Sequence, residues 1–417
     1  GNSNASDSFQ FDLSDGTASV DNQTFTITVN LADTEVTLVG GVLTITDSNG
    51  ANSADALTIS FAAGSPGTYT ITDTGGLIID ASSISGSASN GTASVTVPNT
   101  SVTGILFDVL GGNDLVTLQG GSPGNVNLTV TGGSGTDSTV FNTAATNLGN
   151  GIVQIATEST TISSALTANG GISIVSDTFS AAAAVTGSGT LVVAPQTVNR
   201  AINIGGPTGG LDLSSTTLGN FTNGFSSITI GSAVGTGTVN INASTFTDPV
   251  TIQSPMGAGA INVNGALAGT GNASILLDGP GATTTLNDNI TTEGQSITIS
   301  DNVIVAADVS IDTTSGGNPA GANVSFSGTV NGDGTDNDDV TINAGTGGTV
   351  TLTGAVGSTD ELDNLNVTGM TILVDGGTVS TAGDQTYNGA ATLDGNTTLN
   401  GVNVRFNGTV DSSGGGA

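Results

Sequence analysis

The side chains able to do chemistry in this 417-residue sequence are carboxylates. Asp and Glu number 34, Arg200 and Arg405 are the only basic residues, and there is no His or Cys. A Ser-His-Asp triad, a Cys-His pair and a lysine Schiff base are therefore impossible. Zinc sites of the Cys or His type are impossible as well. Oxygen-only coordination of a hard cation such as Ca²⁺ stays open, since carboxylates and carbonyls are its ligands. So does glycoside hydrolysis by a carboxylate pair.

Three stretches concentrate these groups. The densest is NGDGTDNDD, with Asp333, Asp336, Asp338 and Asp339. Four carboxylates this close repel one another unless a cation sits between them or water screens them. The Gly at position six and the Glu at position twelve of an EF-hand are missing. The expectation is a solvated acidic loop, with a bound Ca²⁺ at these four carboxylates as the alternative. The second stretch is GGNDLVTL (111–118), where Asn113 and Asp114 read as one degraded copy of the calcium-binding nonapeptide turn. Ions in such repeats bridge successive turns, so several tandem copies are needed, and a plain turn is the simpler reading. The third comprises Asp360, Glu361 and Asp363. They offer a carboxylate pair for a polysaccharide-active site, or a solvated turn between strands. Thr-x-Thr strands such as Thr26-Ile27-Thr28 and Thr351-Leu352-Thr353 raise an ice-binding reading. Their spacing is irregular, and Thr on strands is ordinarily solvent-facing.

The elements that must position these groups are short alternating strands closed by Gly, Asn or Asp. Examples are Ser227-Ile228-Thr229-Ile230, Ala260-Ile261-Asn262-Val263 and Thr349-Val350-Thr351-Leu352. Period-two alternation puts Val, Ile and Leu on one face and Thr, Asn and Ser on the other. Strands begin about every 10 residues, with turn formers between them. This spacing fits a β-sandwich or a solenoid. The uninterrupted pattern, the scarcity of large aromatics and an internal repeat favour the solenoid. Residues 321–331 (GANVSFSGTVN) and 401–411 (GVNVRFNGTVD) share seven of eleven positions at an offset of 80. That offset suggests about four coils of about 20 residues, with Phe326 and Phe406 inward at equivalent positions.

The predicted fold class is all-β: a right-handed parallel β-helix preceded by a smaller β-rich N-terminal module. Residues 146–417 are the β-helix, in roughly 13 coils. Residues 36–145, with longer polar connections, are a β-rich module or a solenoid cap. Residues 1–35 end in the alternating stretch QTFTITVN, expected to be the end strand of an Ig- or cadherin-like domain or an N-terminal extension. Without an initiator Met or a signal peptide, Gly1 reads as a processed end or the edge of a segment of a longer protein.

From about residue 150 the wording resembles a known group. The stretches are LTANGGISIVSD (166–177), GFSSITIGSAVGTGTVNI (224–241), DPVTIQSPMGAGAINVNGAL (248–267) and GTGGTVTLTGAVGSTDELDNLNVTG (345–369). They resemble the bacterial β-strand-repeat surface proteins related to filamentous haemagglutinin-type adhesins. The resemblance implies a parallel β-helix, export to the bacterial cell surface, adhesive or scaffold work, and no catalytic residues.

The formal charge of −32 excludes nucleic-acid binding, which needs Lys and Arg, and anionic membrane surfaces would repel the chain. No apolar run approaches the roughly 20 residues of a membrane span. The expected function is a secreted bacterial structural protein in an extracellular fibre, filament or surface layer. It would associate head to tail or continue into further repeats. The alternatives are an adhesin for a glycan or surface protein and, third, a polysaccharide-active enzyme. The charge itself makes a prediction. Side-by-side bundles of such chains should loosen on chelation of divalent cations or at low ionic strength. Light scattering that is unchanged by either treatment would refute it.

Overall fold

Alternation in the sequence becomes alternation of burial in the computed structural model. It describes residues 5–29, 32–48, 53–61, 67–207, 209–254, 256–257, 259–279, 281, 283–335 and 338–412. The chain is all-β, a parallel β-solenoid of about 13 turns with a smaller β-rich N-terminal region. It divides into two units, residues 1–151 and 152–417.

In the second unit each coil lays strands on successive faces, and each strand pairs in parallel with its equivalents on the neighbouring coils. Ile172 stands over Leu191, Ile228 over Val250, Ile275 over Ile297 and Val324 over Val350. These residues are all essentially buried. The intervening Thr, Ser and Asn face outward. A fully buried Val, Leu or Ile contributes about 1.5–3 kcal/mol, and no coil buries its own without a neighbour.

Amide ladders reinforce the stack. Asn240 Nδ2 donates to Asn203 Oδ1 at 3.0 Å, and Asn262 Nδ2 donates to Asn240 Oδ1 at 3.1 Å. A second ladder runs from Asn407 through Asn388 to Asn366, with bonds of 2.6 and 3.0 Å. Each amide both donates and accepts, so the same residue type can repeat from coil to coil.

Coil length is less regular than the expected 20 residues. Ile172 to Leu191 is 19 residues, Ile228 to Val250 is 22, and Ile297 to Val324 is 27. The interval from Leu191 to Ile228 is 37 and holds a short parallel pair, Ile202–Ile204 with Leu211–Leu213, and a five-residue helix, Ser215–Gly219.

The internal repeat has a different meaning from the one expected. Phe326 stacks between Ile299 and Leu352, on the face that continues through Thr371–Val374. Phe406 pairs with Tyr387, on the face that descends from Val340–Asn343 through Leu365–Thr368. The two Phe residues are therefore not equivalent. The shared wording encodes strand, corner and strand. It serves one corner at Val324–Phe326 to Val330–Gly332 and another at Val404–Phe406 to Val410–Ser412.

The first unit opens with an antiparallel ribbon, β1 (Ala5–Ser14) and β2 (Ser19–Val29), with Phe9 opposite Phe25. Phe9, Phe11 and Phe25 cluster with ring centroids 5.8 and 5.4 Å apart, and all three remain exposed. Next come two antiparallel pairs. β3 (Thr34–Val39) turns into β4 (Val42–Asp47) through Gly40 and Gly41, both at positive φ. β5 (Ala56–Phe61) pairs with β6 (Thr68–Asp73), which pairs antiparallel with Ser94–Pro98. Parallel coiling is already present. β4 leads to Gly104–Asp108 and then Asn127–Thr131, while β5 leads to Leu115–Leu118 and then Ser138–Phe141. Residues 36–145 thus combine early coils with an antiparallel insertion.

The stack predicts its own sensitivity. Ile252 is fully buried, so Ile252→Ala should cost about 2–5 kcal/mol. Asn240→Ala, which breaks the middle of a ladder, should cost about 1–3 kcal/mol. Urea unfolding of both variants gives the comparison, and equal midpoints for Ile252→Ala and the parent would contradict the shared interior.

Candidate metal centre

Buried carboxylates gather at one end of the two antiparallel pairs of the first unit. In β4 the inward positions are Leu43, Ile45 and Asp47, and in β6 they are Tyr69, Ile71 and Asp73. Asp33 directly precedes β3, whose first residue, Thr34, lies opposite Asp47. Asp55 takes the inward position just before β5, whose Leu57 lies opposite Asp73. Register sets Asp33 and Asp47 at one end of the first of these pairs, and Asp55 and Asp73 at one end of the second. Asp33 is 3% exposed, and Asp47, Asp55 and Asp73 are each 2% exposed.

Parallel stacking extends the row. Ser53-Ala54-Asp55, Gly112-Asn113-Asp114 and Gly135-Thr136-Asp137 lie on successive coils, in register with the strands they introduce. Asp55 N–H donates to Asp114 Oδ1 at 2.7 Å, and Asp114 N–H donates to Asp137 Oδ1 at 2.9 Å. Thr136 N–H donates to Asn113 Oδ1 at 2.9 Å. Gly112 and Gly135 both have φ of 141°. A Cβ at Gly112 would collide with the Ser53 carbonyl, and one at Gly135 with the Gly112 carbonyl. The stretch at 111–118 is therefore one of three stacked, related turns. Read as a single degraded copy, it hid its two partners: 53–55 shares only the Asp with it, and 135–137 only the Gly and the Asp, before the alternation that follows.

The charges have no local counterpart, because both Arg residues lie in the second unit. Asp33 and Asp55 each bring a carboxylate oxygen within 4.8 Å of the other. Burial, then Asp33, then the charges of Asp47 and Asp114 push the Asp55 carboxyl up to about 8. Burial also raises Asp33, with the charges of Asp47 and Asp73 adding to it and the facing Asp55 carboxyl opposing it. Asp114 is pushed up to about 6 by burial, against the Asp55 N–H that steadies its charge, with Asp137 and Asp47 raising it further. The arrangement can hold protons or a cation.

The other acidic groups are placed differently. In 331–339, Asp336 lies outside the described residues. Asp333 is exposed, and its Oδ1 accepts from the Thr335 N–H at 3.0 Å and hydroxyl at 2.6 Å. Asp339 Oδ1 accepts from the Asn364 N–H at 3.1 Å and Nδ2 at 2.8 Å. Asp338 is buried, and that burial raises its carboxyl before the neighbouring Asp333, Asp308 and Asp339 charges do. Asp360 and Glu361 are exposed on a bend, and Asp363 is half-buried. Among the described residues, the carboxylates whose oxygens come within 4.8 Å of one another as a set of three are Asp33, Asp55 and Asp73. Sequence reading passed over them because they are far apart along the chain. The available signal was Asp in an inward slot, as in the twice-written Thr-Ile-Thr-Asp of 44–47 and 70–73.

These shifts fix the sign of a pH effect in chelator. Groups whose carboxyls titrate higher folded than unfolded stabilise most below their ordinary pKa of 3.8, and that contribution is lost as pH rises through about 6 and about 8. Hydrogen exchange in EDTA, corrected for intrinsic rate, should show protection of 55–73 falling between pH 5 and pH 8.5, while that of 228–252 holds. Equal behaviour of the two segments would contradict it. Comparison with known proteins returned no matching family model, no matching curated protein and no matching solved structure.

Proposed function

We propose that this chain is a structural segment of a secreted bacterial surface fibre, filament or layer. The observation that carries the reading is the continuous parallel stack of the second unit, from Ile152 to Ser412, in which residues are spent on coil-to-coil pairing. The resemblance to β-strand-repeat surface proteins of the filamentous haemagglutinin type supports export and surface location. The last strands, Val404–Phe406 and Val410–Ser412, leave Val402, Val404 and Val410 exposed. Head-to-tail association, or continuation into further coils, covers that layer and satisfies its open edge.

A second reading, an adhesin for a neutral glycan, draws on a shallow groove lined by Asp339, Thr341, Asn364, Asn366, Asp384 and Asn388. Its regularly spaced amides and carboxylates suit hydroxyl-rich ligands. Among the described residues no helix is long and apolar enough to cross a membrane.

Sedimentation and electron microscopy of the purified chain test the leading reading. Concentration-dependent end-to-end multimers are expected, and the double variant Val404→Asp/Val410→Asp should remain single particles with unchanged far-ultraviolet circular dichroism. Single particles of the parent at every concentration, with retention on a glycan array that Asn366→Ala and Asn388→Ala remove, would overturn it in favour of the adhesin.

A further inference from the structure

We propose that Asp33, Asp55 and Asp73 bind one calcium ion that ties together the β3–β4 and β5–β6 pairs of the N-terminal unit. The argument starts from unsatisfied oxygens. Asp33 and Asp55 are 97–98% buried, and among the described residues no N–H or O–H donor reaches either oxygen of either carboxylate. Asp73 Oδ1 accepts from the Gly75 N–H at 2.6 Å, which anchors the side chain, while its buried Oδ2 accepts from no described residue. Five buried carboxylate oxygens on three residues thus lack a donor. A buried, unpartnered carboxylate costs several kcal/mol, more than the burial of a Val or Leu returns.

Distance selects a single ion. One oxygen from each residue lies within 4.8 Å of the others. Ca²⁺ holds its oxygens at about 2.3–2.6 Å, so two ligands across one ion are at most about 5 Å apart. A water bridging the same oxygens would supply only two protons to a strongly negative site. Ligand chemistry selects the class. Every candidate donor is a hard oxygen, and Asp47 adds a nearby negative charge. Mg²⁺ keeps several waters, which a site this buried leaves little room for, whereas Ca²⁺ accepts an irregular set of carboxylates.

The surroundings are built to hold these side chains. Asp33 N–H donates to the Ile78 carbonyl at 2.8 Å, and Asp55 N–H is held by the Asp114 carboxylate. The backbone at each ligand is thereby fixed by a different segment, so the ion would join the approaches to β3 and β5 and the end of β6. It would also convert the like-charge contact between Asp33 and Asp55 into an attraction through the metal.

The test is calorimetric titration of the full chain with CaCl₂ after EDTA treatment, beside the double variant Asp55→Asn/Asp73→Asn. The variant should bind one Ca²⁺ fewer than the parent, whatever sites 331–339 contributes. Ca²⁺ at 1 mM should also raise hydrogen-exchange protection of 55–73 in the parent by at least tenfold and leave 228–252 unchanged. Equal stoichiometry in parent and variant would overturn the proposal. If the variant fails to fold, the parent decides: no Ca²⁺-dependent protection at 55–73 would equally overturn it.

Discussion

Along most of the stacked strands every second residue points into an interior that water does not reach, and that geometric constraint governs the rest. Whatever side chain the alternation places inward must come out of water. For Ile172, Leu191 or Val350 this is favourable, and the gain recurs at each coil. For Asp47, Asp55 or Asp73 the same position carries a desolvation penalty that cancels the gain of more than one neighbouring apolar residue. The solenoid and the acidic centre are two outcomes of one rule applied to different residues.

Compensation for buried polar groups takes two forms in this chain. In the second unit, Asp301 lies buried but accepts from the Gly279 N–H and the Thr284 hydroxyl, so local donors meet its need. Asn ladders do likewise, each amide satisfying the next. In the first unit the donors run out. Asp114 and Asp137 are met by backbone N–H groups of the preceding coil, but the end of that chain of bonds, Asp55, faces another carboxylate. With no Lys or Arg in the unit, protons or an external cation are the remaining sources of positive charge.

How much of this was legible depends on range. The strands from Ile152 onward were readable because alternation is local: Ile228 and Ile230, or Val350 and Leu352, declare their face within four residues. The coil count followed from the same spacing. Which strand lies over which was not readable, because insertions of variable length separate equivalent positions. The resemblance between 321–331 and 401–411 therefore suggested a shared face where there is only a shared corner. The acidic centre failed for the same reason. Asp33, Asp55 and Asp73 lie far apart in sequence, on two different strand pairs, and meet only in the fold, whereas the eye is drawn to carboxylates adjacent in sequence, such as Asp338 and Asp339. For Asp73 the inward phase, two residues beyond Ile71, was present in the sequence, as it was for Asp47 beyond Ile45, and it is the feature that could have marked this edge.

The interval from Leu191 to Ile228 shows what the architecture tolerates. That coil is nearly twice the length of its neighbours and carries a helix, yet Leu191 and Ile228 still stack in register. Extra chain leaves at a corner and returns to the same rung without disturbing the layers above and below. Corners of this kind are natural ports for acquiring new surface segments: a foreign loop or small domain spliced near Gly205–Gly210 would be displayed at a fixed height along the stack. Such a scaffold could diversify its exterior rapidly while its interior stays under a single, simple selection.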